Sequence, residues 1–212
     1  MSRSYTYSAI TLRVKPSGES NREAWFLTAE EGVLRATVFG GPKSRLRAQV
    51  APFHGGTLWI YHDPVRDSRK VSDFDVQSYR TGIRELYERV MAADAVAETI
   101  LSTHGSGGSW QTAAKLAGSV LDALNDAGTA LCSRLGVYFL WHWADLLGVR
   151  PELSSLSLGN GARLWLNEIS SLPPAALARV SLDTVSLEQA REVSKAILAD
   201  ALGKRLATWE GI

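Results

Sequence analysis

Two periods divide the chain. Up to about residue 78 the apolar positions come in short runs of period two; after Tyr79 they recur at three and four. Tyr5 to Lys15 reads as a strand, with Tyr5, Tyr7, Ala9 and Thr11 alternating with Thr6, Ser8, Ile10 and Leu12. Pro16 to Asn21 is a turn cluster, Ala24 to Thr28 a short second strand, and Glu30-Glu31-Gly32 a tight turn with Gly32 as its left-handed residue. Val33 to Phe39 is a third strand and Thr57 to His62 a fourth. Asp63-Pro64 and Arg66-Asp67 mark a hairpin into a fifth strand carrying Val71, Phe74 and Val76 and ending near Gln77. Five short strands are too few for a two-sheet sandwich, and one open sheet would leave unpaired edges. A closed Greek-key barrel of the OB kind solves both problems.

The second half is helical. Ile83, Leu86, Tyr87, Val90, Ala97, Ile100 and Leu101 share one helix face, which ends at the linker Gly105-Ser106-Gly107-Gly108-Ser109. Trp110 to Ala127 is a second helix with Ser109 as its cap. Thr129 caps a third, Ala130 to Leu147, which is apolar nearly all round and therefore belongs in the middle of a bundle. Gly148 and Pro151 stop it. Gly159-Asn160-Gly161 suggests a small hairpin or irregular module near 152–171, Pro173-Pro174 a short helix through Val180, and Ser186 the cap of a last helix from Leu187 to about Ala207. The order, all-β then all-α, predicts an α+β protein with a barrel domain over 1–78 and a helical domain over 79–212.

Composition narrows the function by exclusion. The net charge of +1 argues for no partner, although residues 1–78 carry eleven Lys and Arg against eight Asp and Glu, so a nucleic-acid surface has to be a local patch. The single cysteine, Cys132, excludes a disulfide framework or a cysteine zinc site within this chain. No signal core precedes Tyr5, and the apolar run Val137 to Leu147 is too short to span a bilayer, so a cytoplasmic location with no membrane partner is expected. There is no phosphate-binding glycine motif, and the serine and glycine spacing at 105–109 is not a nucleophile elbow. His54, His62, His104 and His142 are scattered. His142 and Asp145, three apart on one helix, are the only hint of a metal pair and lack a third ligand at ligand spacing. No enzyme, no metal and no cofactor are expected.

What remains is binding. Phe39-Gly40-Gly41-Pro42-Lys43-Ser44-Arg45-Leu46-Arg47 reads as a glycine-headed loop with three cations and no acid, which suits phosphate contact. Arg13, Lys15 and Arg35 lie on the strands, and Arg69 and Lys70 (with Arg66) form a second cluster at the last hairpin. Among the barrel aromatics, alternation places about half inside; Tyr5, Tyr7 and Tyr61 are expected to be more exposed than Trp59. In the helical part, Arg134, Arg191 and Lys195 are candidate cations for an acidic, apolar peptide.

These residues carry a resemblance. Glu31-Gly32-Val33-Leu34-Arg35-Ala36, then Gly40-Gly41-Pro42-Lys43-Ser44-Arg45-Leu46, then Pro52-Phe53, resemble segments of the bacterial DNA-repair family RecO. Leu135 to Leu147 followed by Gly148 and Pro151-Glu152-Leu153 is similar to that family's long apolar helix and its stop, and Ala201 to Leu206 to its last helix. Many members carry a four-cysteine zinc module after the stop; here 153–171 has no cysteine, so the module must hold itself by packing. The acidic residue that usually opens the family's first strand is also not clear around Tyr7-Ser8-Ala9-Ile10.

The resemblance implies an OB barrel followed by a helical domain. It implies binding of single- and double-stranded DNA, annealing of complementary strands, and, with a RecR-like partner, loading of RecA onto DNA covered by single-strand-binding protein, whose acidic tail docks on the helices. The alternative is an interaction scaffold with no DNA affinity; a third reading is an enzyme with a His142/Asp145 metal site.

Overall fold

The period-two segments close into a barrel. The computed structural model describes residues 3–41, 43–103 and 109–211. Its strands are β1 (Ser4–Ser17), β2 (Asn21–Thr28), β3 (Gly32–Val38), β4 (Gly55–Asp63) and β5 (Ser68–Ser78), ordered β1-β2-β3-β5-β4 around a closed barrel. This is the OB-type barrel that the sequence predicts. β1 makes closure possible because it is long enough to pair twice. Ser4 to Ile10 pairs with β4, and Ala9 to Ser17 pairs with β2, with a shift in register between Thr11 and Arg13. Such an irregularity bends a strand and re-aims it toward its second partner. The last seam is thin: β3 and β5 run parallel and meet only at Thr37 and Lys70.

Alternation fills the interior with Phe26, Leu34, Leu58, Ile60 and Phe74, each at most 2% exposed. Phe26 and Phe74 meet edge to face at 6.0 Å, the geometry that aromatic quadrupoles prefer. Each large side chain removed from water contributes about 1.5–3 kcal/mol. Tyr7 also lies inside, against expectation: its position shares the inward parity of Ala9, and its hydroxyl donates to Glu31 Oε1 at 2.8 Å, which satisfies the one polar atom a buried tyrosine brings. Tyr5, two residues before it on the same side of the strand, stacks on Tyr7 at 6.4 Å and is 41% exposed.

The segment read as a cationic loop is partly helical. Arg45–Gln49 form α1, with Leu46 packed against the barrel core and Val50 fully buried. The apolar pair at 46 and 50 explains the turn, since a four-residue spacing places both on one helix face. Gly40 is strained for any other residue: φ is 127°, and a Cβ there would lie 2.6 Å from the Ser44 side chain. Pro42 lies outside the described residues.

By itself, the helical part contains α2 (Tyr87–Thr103), α4 (Thr129–Leu146), α5 (Asn160–Ile169) and α6 (Thr184–Leu202), with short 3-10 turns between them. Of α3 (Trp110–Asn125), residues 110–118 group with the barrel and the rest with the helices. α4 buries Leu135 through Trp141 without a break, as its all-round apolarity predicts. Arg89 ties this part together. Its guanidinium donates to the carbonyls of Ala127 at 2.6 Å and of Gly82 and Asn125 at 2.9 Å. Trp209, 1% exposed, donates to Thr99 Oγ1 at 2.9 Å, and Glu98 accepts from the backbone of Ala207 and Thr208.

Three local readings change. Gly159-Asn160-Gly161 opens α5 rather than turning a hairpin, because Ala162, Trp165, Leu166 and Ile169 recur at helical spacing and are buried. Gly128, not Thr129, occupies the cap position of α4. Asp183, not Ser186, caps α6: its carboxylate accepts from the Ser186 amide at 2.9 Å, and Gly203 in the left-handed region (φ 63°) ends the helix earlier than expected. The linker glycines 105, 107 and 108 and His104 lie outside the described residues.

Candidate nucleic-acid interface

The register decides which cations share a face. Ala24 and Phe26 point inward and are fully buried, so Trp25 between them points out. Trp25 sits opposite Arg13 on one side and Arg35 on the other, giving a three-strand row Arg13–Trp25–Arg35. The next outward row runs Lys15–Glu23–Thr37–Lys70–Tyr61 across β1, β2, β3, β5 and β4. Two residues of strand separate the rows by about 7 Å. The outer face of β1-β2-β3 with the seam to β5 therefore gathers Arg13, Lys15, Arg35 and Lys70 around two aromatics. Lys15 Nζ lies 5.8 Å from the Trp25 ring centroid, and Lys70 Nζ 5.2 Å from that of Phe39, which is 46% exposed. Exposed cation–π contacts of this kind are worth about 0.5–1 kcal/mol, so the ammonium groups are easily recruited elsewhere.

The acid on this face is Glu23, whose Oε1 pairs with Arg35 Nε at 3.4 Å. Arg35 is 64% exposed, and an exposed pair contributes about 0–1 kcal/mol. It competes weakly with a phosphate, which accepts charge-assisted hydrogen bonds of its own. Along β3 a polar groove of about 330 Å³ opens where β3 and β5 part, lined by Arg35, Thr37, Asp67, Ser68 and Arg69 among others.

Arg69 and Lys70 do not act together. Neighbours on a strand face opposite sides, and Arg69 has the inward parity of Val71. It pairs with Glu31 at 3.4 Å, joining the Tyr7–Glu31 contact at the barrel rim. Burial, with the Glu31 hydrogen bond adding, pushes the Tyr7 phenol well above its ordinary value, so it remains a donor at any physiological pH. Lys43 and Arg45 are exposed beside and on α1. Arg47 is half-buried, and its carbonyl accepts from Arg22 Nη2. Burial, then the neighbouring Arg47 charge, holds the Arg22 guanidinium below its ordinary value. Sequence reasoning misses Arg22 as the anchor of α1 and does not single out Trp25; the buried neighbours Ala24 and Phe26 are the available signal.

The helical candidates are placed differently. Arg134 Nη1 donates to the Val180 carbonyl at 2.9 Å and lines a groove of about 530 Å³ with Leu164, Trp165, Glu168 and Asp183. Arg191 pairs with Glu188 at 3.0 Å, and Lys195 pairs with Glu192 at 2.9 Å and lines, with Trp209, a separate pocket of about 160 Å³. The structure does not bring these three cations into one site.

His142 and Asp145 each have another partner. His142 Nε2 donates to the Ile169 carbonyl at 3.0 Å, and Asp145 pairs with Arg150 at 2.9 Å. Among the described residues no three His, Cys, Asp or Glu side chains gather where they could hold a metal ion. Cys132 is buried, and burial pushes its thiol up, away from the reactive thiolate. No helix among the described residues is long and apolar enough to cross a membrane.

Residues 1–79 match the family model Recombination protein O N terminal. The barrel is therefore similar to the N-terminal domain of that family. Over 104 residues the chain is 30% identical to the DNA repair protein RecO of Synechococcus elongatus and, equally, to that of a second Synechococcus strain. The match covers 48% of this chain and 38% of each relative's length. The closed five-strand barrel followed by helices is the architecture expected of a RecO-like chain. The relatives' names state DNA repair and no catalytic activity.

Proposed function

We propose that this chain is a DNA-binding recombination mediator. The barrel, residues 1–78, grips the sugar–phosphate backbone of single- and double-stranded DNA and promotes annealing of complementary strands. With a RecR-like partner the chain assists loading of RecA in repair. The observation that carries this reading is the outward patch Arg13–Trp25–Arg35 with Lys15 and Lys70, on a barrel of the RecO type. Cations on a rigid sheet hold phosphates at fixed spacing and position the strand without reading its sequence. Lys43, Arg45 and Arg47 at α1, and Arg69 at the groove, extend the positive surface around it. The helical residues serve protein docking: the acidic tail of a single-strand-binding protein has a cation at Arg134 beside the apolar Leu164 and Trp165, with Arg191 and Lys195 as further contacts.

The test is fluorescence anisotropy with single-stranded and duplex oligonucleotides over a range of salt. Lys43→Glu combined with Arg45→Glu should weaken binding to all sequences about equally. An unchanged titration removes α1 from the interface. A chain that binds neither oligonucleotide at low salt, yet captures a RecR-like or single-strand-binding protein, would instead be an interaction scaffold.

A further inference from the structure

Trp25 is out of place for a structural residue. A barrel this size fills its interior with Phe26, Phe74, Leu34, Leu58 and Ile60, and Trp25 contributes nothing to that cluster. It lies half-buried on the outer face, with an arginine directly across on each neighbouring strand and a lysine ammonium over its ring. An indole with part of its ring open and cations on both sides combines the two elements that hold a single strand, an aromatic face and phosphate contacts. We infer that Trp25 is a stacking platform for one unpaired base of a single strand, with Arg13 and Arg35 holding the flanking phosphates. This rests on the DNA-binding reading above and names the form of DNA that the patch prefers.

The chemistry follows from the parts. The ring face that Lys15 covers is held by a weak contact, so a base displaces the ammonium, which then meets the phosphate the base brings with it. Arg13 and Arg35 are about 5 Å from Trp25 on either side, one strand spacing each, so a backbone crossing the strands passes cation, aromatic, cation. Glu23 is the acid within this row's reach; it pairs with Arg35, which orients that guanidinium along the sheet. A duplex cannot use the platform, because its bases already stack on one another and present only edges to a flat sheet. The patch therefore distinguishes unpaired from paired DNA through one aromatic, while its cations bind both. An acidic peptide could satisfy the arginines but has no planar ring to cover the indole.

The experiment compares wild type, Trp25→Phe and Trp25→Leu by anisotropy against three probes: a single-stranded oligonucleotide, its duplex, and an abasic strand of the same length. Circular dichroism confirms that each variant is folded; Leu keeps apolar bulk without a π-face, and Phe keeps the face. The Leu variant should bind the single strand about tenfold more weakly, with the Phe variant in between. Duplex and abasic affinities should change by less than about twofold, because phosphate contacts are untouched. Equal loss on all three probes, or no loss on any, overturns the platform while leaving the DNA-binding reading intact. A wild-type chain that binds no probe at low salt, or that binds an acidic peptide more tightly than the single strand, overturns the reading beneath it.

Discussion

Arg35 on the barrel and Arg89 among the helices are the same residue put to opposite uses. Arg35 is 64% exposed and holds one surface glutamate at 3.4 Å. Arg89 is 16% exposed and donates to three backbone carbonyls. The contrast extends to their neighbours. Arg13, Lys15 and Lys70 stand outside the barrel, whereas Arg134, Arg191 and Lys195 each hold a carbonyl or carboxylate of their own unit, the latter two with side chains 16% and 17% exposed. A donor committed to its own fold contributes stability and a donor facing water is available to a partner, so Arg134, Arg191 and Lys195 would engage an acidic tail only through donors that their own partners leave over. Net charge cannot tell the two apart, and here it is only +1.

Four changes would break or sharpen this contrast. The largest effect is expected from Arg89→Ala, which strands three carbonyls and should cost about 3 kcal/mol in urea unfolding. DNA affinity of the remaining folded protein should not move; if it falls in parallel, the division of labour is wrong. Next is Gly32→Ala. Gly32 has φ 75°, and a Cβ there would lie 2.5 Å from the Trp110 ring, so about 2 kcal/mol of stability should be lost through backbone strain and steric clash. Arg13→Glu with Arg35→Glu should leave thermal stability nearly unchanged and weaken single-strand binding on the order of tenfold at low salt. A large drop in melting temperature with unaltered binding would place these arginines on the structural side.

The smallest effect concerns pH. Burial holds the His142 imidazole below its ordinary value, so the unfolded chain takes up the proton more readily than the folded one. Stability is then fully present above the ordinary histidine range and declines as pH falls through it toward the lower folded value. His142→Gln should flatten that part of the melting-temperature profile; a profile that keeps its slope assigns the decline to other groups.

Much of the barrel was legible because period two is a direct consequence of the pleat, and β1 to β5 appear where alternation places them. The helix α4 was legible for the same kind of reason: a segment without a polar face has nowhere to go but inside. What the sequence hid were the features that need a partner strand or helix. α1 is too short to show a period, and it forms because Leu46 and Val50 have a barrel end to cover. Tyr7 is inside because Glu31 on another turn satisfies its hydroxyl. Arg69 and Lys70 looked like one cluster because adjacency along a chain is not adjacency on a strand. The row Arg13–Trp25–Arg35 joins residues from three strands and becomes visible only once their registers are known.

The central claim is that the outer face of β1-β2-β3 meets phosphates. It is tested most directly by the salt dependence of single-strand binding for the wild-type chain and for Arg13→Glu/Arg35→Glu. Arg13, Lys15, Arg35 and Lys70, each releasing a counterion, should together contribute about −3 to the slope of log affinity against log salt, since each phosphate contributes about −0.7 on a single strand. The double variant should lose about half of that contribution. Equal slopes for the two proteins, or no measurable binding by the wild type at low salt, would contradict the assignment.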